Sequence, residues 1–303
     1  MKKALFELHL AIFLAGFTGI LGKLIQLPQG PLVWYRMGLT SISLLGWMYV
    51  TRRLKSIPFR ELIKIGSVGI IVAIHWLCFY GSIKYSNVSI TLVCFSSSSF
   101  FSALIEPIIR KQRPSATELL LSLVAIAGIY IIMQFDSRYT FGIILGIAAA
   151  FFSALFTILN KTLTVRHDAY TITLYEIGTG FLGLCCLIPW FILHTPSQFW
   201  IPSPMDWIYL LILSIVCTVW AFSLAINSLN HVSSFTMNLS YNLEPVYGIL
   251  LAFLLFHENK NLHSGFYWGM GLILISVAAQ SLRTSTLMNR RVTALKKYSD
   301  TEF

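Results

Sequence analysis

Apolar runs of roughly 17 to 25 residues, the length that carries a helix across a bilayer, follow one another with little interruption from residue 4 to residue 282. They fall at 4–25, 32–50, 62–82, 88–109, 116–134, 141–161, 170–192, 206–228, 233–256 and 264–282. Inside hydrocarbon every backbone N–H and C=O must find its partner within the protein, so a spanning segment is a helix or part of a closed barrel. The period-two alternation of a barrel is absent. The sequence therefore predicts an all-α integral membrane protein of ten transmembrane helices. The composition agrees: 56% of the 303 residues are hydrophobic and 11% charged, with a mean hydropathy of +0.73, which excludes an ordinary soluble domain.

The net charge of +10 would suit a nucleic-acid binder, but its distribution points to the membrane. With the amino terminus in the cytoplasm, only Lys23, Lys84, Arg138 and Lys260 of the 22 Lys and Arg fall on outer segments, Arg36 lies within a span, and the rest are inside. That is the positive-inside pattern. It places both termini in the cytoplasm and makes the lipid bilayer, rather than nucleic acid, the partner. The basic tail, 285–303, reads as a stop-transfer flank against anionic headgroups. Met1 to Lys3 ahead of the first apolar run imitates a secretory signal, yet no small-residue cleavage site follows, so an uncleaved first helix is expected. Cys78, Cys94, Cys185, Cys186 and Cys217 lie within predicted spans without metal-site spacing. No cofactor and no metal are expected.

The chain can be laid on itself near Asp136. Tyr35, Arg36 and Gly38 in WYRMG correspond to Tyr175, Glu176 and Gly178 in LYEIG, Lys23 to Lys161, and Trp76, Val88 and Ser89 to Trp220, Val232 and Ser233. Their collinear order indicates an internal repeat. The expected division is 1–136 for a first five-helix repeat and 137–284 for a second, packed as one membrane domain. An odd number of spans per half makes the second repeat inverted, an arrangement suited to alternating access around a midplane site.

Polar residues inside spans are the candidates for function, because lipid does not tolerate them. The run SSFTMNLSYNLEPVYGILLAFLLFHE, from Ser233 to Glu258, carries the densest set. Ser234, Asn238, Tyr241, Asn242 and Pro245 fall on one helical face, with Glu244 to its side. Pro245 removes a backbone donor and clashes with the preceding turn, freeing carbonyls near Tyr241 and making a candidate hinge. A kink packed on neighbouring helices is the alternative to a solute cavity. Arg36, a turn inside helix two, either snorkels outward or holds a carboxylate or phosphate. In helix three, His75, Trp76 and Tyr80 are cavity candidates, with aromatic packing as the alternative. In helix four, Ser97 and Ser98 sit in a serine run expected to face the Asn242–Val246 segment. Asn227 ends helix eight. Glu176, the counterpart of Arg36, binds a cationic group, carries a proton or pairs structurally with Lys161, the pair being the first choice. Glu106 is read as paired with Arg110. Glu244, Glu176 and His75, in that order, are the candidate proton carriers, and helices three, four, eight and nine the expected cavity walls.

The pairs FTGILGK and FTILNK, the Arg36 motif, and LEPVYGILLAFLLFHE followed by GFYWGMGLILISVA resemble the drug/metabolite transporter superfamily, specifically its ten-helix EamA type. The resemblance covers about residues 5 to 282, and its strongest piece is Pro245 with Glu258 after the ninth helix. Ser98 stands where a proline often stands in that family. The resemblance implies a multi-pass protein of the bacterial inner membrane that exports amino acids, related metabolites or toxic analogues by alternating access, coupled to an ion gradient; Arg36 and the aromatics point to an amino acid or related zwitterionic or aromatic compound, and the buried carboxyls to a proton as the coupling ion. Association into a homodimer is compatible with it. Two alternatives stay open: an importer or exchanger of a nucleotide-like or other anionic metabolite, and an intramembrane lipid-modifying enzyme. The second lacks any GxSxG or HExxH motif, and no GxxxxGK[ST] loop for ATP appears.

Overall fold

The computed structural model describes residues 2–111, 115–135, 137–194, 200–232, 234–241, 243–276, 278–279 and 282. Among them, short connections join ten helical segments: α1 (Lys2–Leu24), α2 (Gln29–Val50), α3 (Phe59–Tyr85), α4 (Val88–Arg110), α5 (Ala116–Phe135), α6 (Thr140–Leu163), α7 (Ala169–His194), α8 (Pro204–Ser228), α9 (234–256) and α10 (Ser264–Ser276). Six of them, α1, α3, α4, α6, α7 and α8, are by themselves long and apolar enough to cross a membrane; parts of α5 and α9, and α10, are shorter apolar helices. Five segments in each half put the second half the opposite way up. The tail 285–303 lies outside the described residues, as do Ser233 and Asn242.

Local chemistry sets the boundaries. Helix α2 begins three residues before its apolar run, after Pro28, and accepts Pro31 in its first turn, where the missing N–H costs nothing. Helix α8 opens on a capping box, with the Ser203 and Asp206 side chains each accepting from the other's backbone N–H at 3.1 and 3.0 Å. Helix α4 opens on Asn87, whose Oδ1 accepts the Ile90 amide at 2.8 Å.

Three of the described segments are not continuous α-helices; the serine run and the proline announce two of them in the sequence, and nothing announces the third. Helix α4 breaks between Val88–Phe95 and Ser98–Arg110. There the Ser96 and Ser97 hydroxyls turn back on the carbonyls of Val93 and Cys94, at 2.6 and 2.7 Å, competing with the helical ladder. Helix α8 widens into a π-helical stretch at Ile215–Trp220. Helix α9 is interrupted between Ser234–Tyr241 and Glu244–Phe256, the second part restarting on Glu244 and Pro245.

The broken helices pack together antiparallel. Val88–Phe95 lies on Glu244–Phe256, and Ser98–Arg110 on Ser234–Tyr241, so the two interruptions meet at one level. This is the apposition expected for the serine run and the proline segment. Around them, α3 packs on α6 and α7, α2 on α7 and α8, and α1 on the end of α8 and on Glu244–Phe256. Helix α5 lies to the outside of α4 and meets α10 where Gly128 touches the Gly269 carbonyl; an added Cβ at Gly128 would come within 2.6 Å of it. Large apolar residues such as Val50, Leu193 and Leu254 point outward, as lipid-facing positions should.

Candidate functional site

A cavity of about 90 Å³ lies among α1, α2, α3, α4, α6, α8 and α9, roomy enough for several waters. The sequence pointed to α3, α4, α8 and α9; α1 and α6 also form its wall, through Ala11, Ala15 and Thr18 on one and Ser153, Thr157 and Asn160 on the other. Trp76, Phe79, Phe95, Phe156 and Phe222 supply its aromatic surface.

Arg36 is the cation of this cavity. It does not snorkel: it is 3% exposed, because its guanidinium is held on three sides. Nε and Nη2 donate to Thr218 Oγ1 at 3.0 and 2.9 Å, Nη1 donates to the Tyr80 hydroxyl at 2.6 Å, and the group lies 3.7 Å over the centre of the Trp76 ring. Thr218 is itself oriented, since its hydroxyl donates to the Leu213 carbonyl at 2.8 Å, five residues back within the widened part of α8. A guanidinium has five N–H donors. Those bonds occupy three, and two are left for something in the cavity.

Glu244 is the anion of the same cavity. It is buried at the first turn of the restarted α9, acts electrostatically on Arg36, and makes no direct ion pair with it. Helix geometry accounts for its position: Pro245 directs the new helix, and a carboxylate in a first turn faces the positive end of the helix dipole. Tyr241, one turn earlier, lines the cavity beside it. His75 also lines it, with Nδ1 2.8 Å from the Ala149 carbonyl. A carbonyl only accepts, so Nδ1 carries the hydrogen and Nε2 is the free position.

The other sequence candidates take different places. Trp76 lines the cavity as the platform beneath Arg36, and Tyr80 stands behind Arg36 as its acceptor. Ser97 and Ser98 are buried at the break in α4 and do not line the cavity. Asn227 does not line it either: its Nδ2 donates to Glu7 Oε2 at 2.7 Å, clasping α8 to α1. Pro245 is at the restart of α9. The backbone of Asn238 belongs to the first part of α9; its side chain, and Asn242 altogether, lie outside the described residues.

Glu176 corrects an expectation. It is not paired with Lys161, whose ammonium donates to the carbonyls of Leu229 and Val232, the free carbonyls at the end of α8. Glu176 is instead fully buried beside Asn160. Glu106 does pair with Arg110, at 3.1 Å. Sequence reasoning passed over Thr18, Ser153, Thr157, Asn160 and Thr218. The signal for Asn160 was present, an amide inside a span, while a threonine in a helix is too common to single out.

Comparison with known proteins agrees with the architecture. Residues 2–134 and 140–282 each match the model of the EamA-like transporter family. An "uncharacterized transporter" of Archaeoglobus fulgidus is 25% identical over 295 residues, covering 93% of this chain and 96% of its own length. A second from the same organism is 25% identical over 151 residues, 50% of this chain and 52% of its own. A solved crystal structure superposes with a TM-score of 0.68 over 95% of this chain and 99% of its own at 16% identity, a likeness of fold alone. The chain is thus a multi-pass membrane transporter rather than an enzyme, and it belongs to the EamA-like transporter family, whose domain it carries twice.

Proposed function

We propose that this protein is a secondary transporter that exports a small zwitterionic metabolite with an aromatic or apolar side chain, an amino acid or close relative, across a bacterial inner membrane by alternating access. The observation that carries the reading is the placement of Arg36 and Glu244 in one aromatic-walled cavity without a direct ion pair. Two opposite buried charges that do not meet are costly, and a solute bringing a carboxylate to Arg36 and an ammonium to Glu244 relieves both.

Direction is inferred from where the lining runs, since polar clasps stand at both ends. The lining continues to Ala11, Asn160 and Leu229, toward the end that the charge distribution assigns to the cytoplasm. At the opposite end, the Gln26 amide donates to Asp206 Oδ1 at 2.8 Å, Lys84 donates to the Ile25 carbonyl, and Glu258 holds Ser89. A lining that runs toward the cytoplasm fits the loading state of an exporter. An exchanger of purely anionic metabolites is less favoured, because Glu244 would face the solute and repel it.

The test is counterflow in proteoliposomes loaded with unlabelled L-tryptophan or L-phenylalanine, with the labelled amino acid outside. Trans-stimulated uptake that indole-3-propionate inhibits poorly is the expected result. Uptake stimulated only by internal nucleotides, or no counterflow with either amino acid, would overturn the reading.

A further inference from the structure

We propose that Glu176 and Asn160 form a second site, distinct from the Arg36–Glu244 pair, that binds a small monovalent cation, a proton or a sodium ion. The two side chains are 0% and 1% exposed and are neighbours across α7 and α6. The Asn160 amide faces the Glu176 carboxylate, yet neither the two oxygens of the one nor the two amide atoms of the other find a partner at hydrogen-bond geometry. They account for four of the seven buried side-chain polar atoms left without a partner among the described residues. Orphaned buried atoms are rare in folded proteins, and a group of them points to an occupant.

The occupant has to be positive. A carboxylate taken out of water without a counter-charge costs several kcal/mol, and the charged groups of the surrounding helices are committed elsewhere. Arg36 on α2 faces Thr218, Tyr80 and the solute cavity, His75 on α3 faces the Ala149 carbonyl, and Lys161 on α6 faces the Leu229 and Val232 carbonyls, so none of them reaches Glu176. The end of α8, Ala221–Ser228, carries no titratable residue. Burial and Asn160 are what act on Glu176.

The site cannot simply collapse onto itself. Helices α3 and α7 touch backbone to backbone beside Glu176, at Gly69 and Gly180; a Cβ on Gly180 would stand 2.6 Å from the Gly69 carbonyl. Access is from one side, since Asn160 and Thr157 also line the solute cavity. A proton arriving there makes the carboxyl a donor to the Asn160 carbonyl. A sodium ion takes the carboxylate and amide oxygens as ligands. In both cases the ion enters from the cavity water and returns to it, with no bond made or broken in the solute. As the coupling ion this occupant rests on the transporter reading, but its presence can be measured without any solute or flux.

The experiment is infrared difference spectroscopy of the purified protein at neutral pH, in sodium chloride and in choline chloride, for wild type, E176Q, E244Q and E176Q/E244Q. A proton site predicts a neutral carboxylic-acid band in both salts, and a sodium site a carboxylate shift on replacing choline by sodium. Subtracting E176Q from wild type must isolate the signal, and subtracting E176Q/E244Q from E244Q must isolate the same signal. If E176Q removes nothing from the spectrum in either background, the proposal is wrong, whatever counterflow shows. Should E176Q not fold, N160A replaces it: it keeps the carboxyl group, and the band must move.

Discussion

The carboxylate of Glu258 accepts the backbone amide of Ser89 at 2.9 Å and its hydroxyl at 2.6 Å, across 169 positions of sequence. With the Val88 amide, which also donates to Glu258 at 3.2 Å, these are the orphan donors at the positive end of α4. Glu258, two residues beyond α9, thus caps the helix against which α9 packs. Removing the carboxylate in Glu258→Ala should lower stability by about 1–2 kcal/mol, while Glu258→Gln, which keeps one acceptor, should lose less. Thermal unfolding of the purified variants in one detergent measures the order, and equal stability of all three proteins would contradict the capping role.

Arg36 and Glu244 make separable demands on a zwitterion. Lysine at position 36 offers a point charge in place of the planar fork, and cannot bond Thr218 twice and Tyr80 once. Arg36→Lys should weaken binding of L-tryptophan by about 10- to 100-fold, the equivalent of about 1.4–3 kcal/mol for a charged hydrogen bond. Glu244→Gln should weaken L-tryptophan comparably but leave, or improve, the binding of indole-3-propionate, which has no ammonium group. Ligand-induced thermal shifts of the two variants check this crossed pattern. Parallel losses for both ligands in both variants would show that the two charges do not divide the solute between them.

Most of the fold was legible because the membrane imposes a single rule. Length and hydropathy place the helices, and the paired WYRMG and LYEIG segments mark the repeat. The cavity was legible only where a residue is out of place in lipid. Arg36, Glu244 and His75 could be singled out as intruders, and they do converge. Thr218 could not, since nothing local says that α8 widens there and turns a hydroxyl toward a guanidinium 182 residues away. Small residues are ambiguous in a different way: Ser153 on α6 has the look of a close-packing position, yet an absence of bulk is also what leaves space for a cavity. The Glu176–Lys161 pairing failed because a lysine near a helix end has carbonyls to satisfy as well as acids, and sequence spacing does not say which it reaches.

On the cytoplasmic side predicted from the charges, Asp168 in the α6–α7 connection holds the two halves together through Lys55 Nζ at 2.8 Å, and also accepts the Thr171 amide and hydroxyl at 3.1 and 2.9 Å. Partial burial pushes its carboxyl up, but Lys55 and the Thr171 donors outweigh that and hold it below the ordinary aspartate range. A depressed folded value means that the stabilisation is present above the unfolded value and is lost as pH falls through the folded one. The pair is half exposed and screened, so its worth is under about 1 kcal/mol. Lys55→Ala should therefore melt slightly below wild type at neutral pH, and the gap should close in acid and shrink with salt. A gap that widens on acidification would reverse the sign.

The hydroxyl of Thr218 joins two features that the sequence kept apart, the widened turn of α8 and the cation of the cavity. It donates to the Leu213 carbonyl and accepts from Arg36 twice, so its single proton is already committed and both lone pairs face the guanidinium. Valine has the same shape without the oxygen. Thr218→Val would strand Nε and Nη2 of a buried charged group, at a cost of about 1–3 kcal/mol, and would release Arg36 from the orientation that leaves its free N–H groups for the solute. Serine keeps the oxygen and should restore both properties. The expected outcome is a lower unfolding temperature and weaker L-tryptophan binding in Thr218→Val, with Thr218→Ser close to wild type in each. If Thr218→Val lost stability yet bound the amino acid as tightly as wild type, Thr218 would hold up the bundle without positioning Arg36 for any solute.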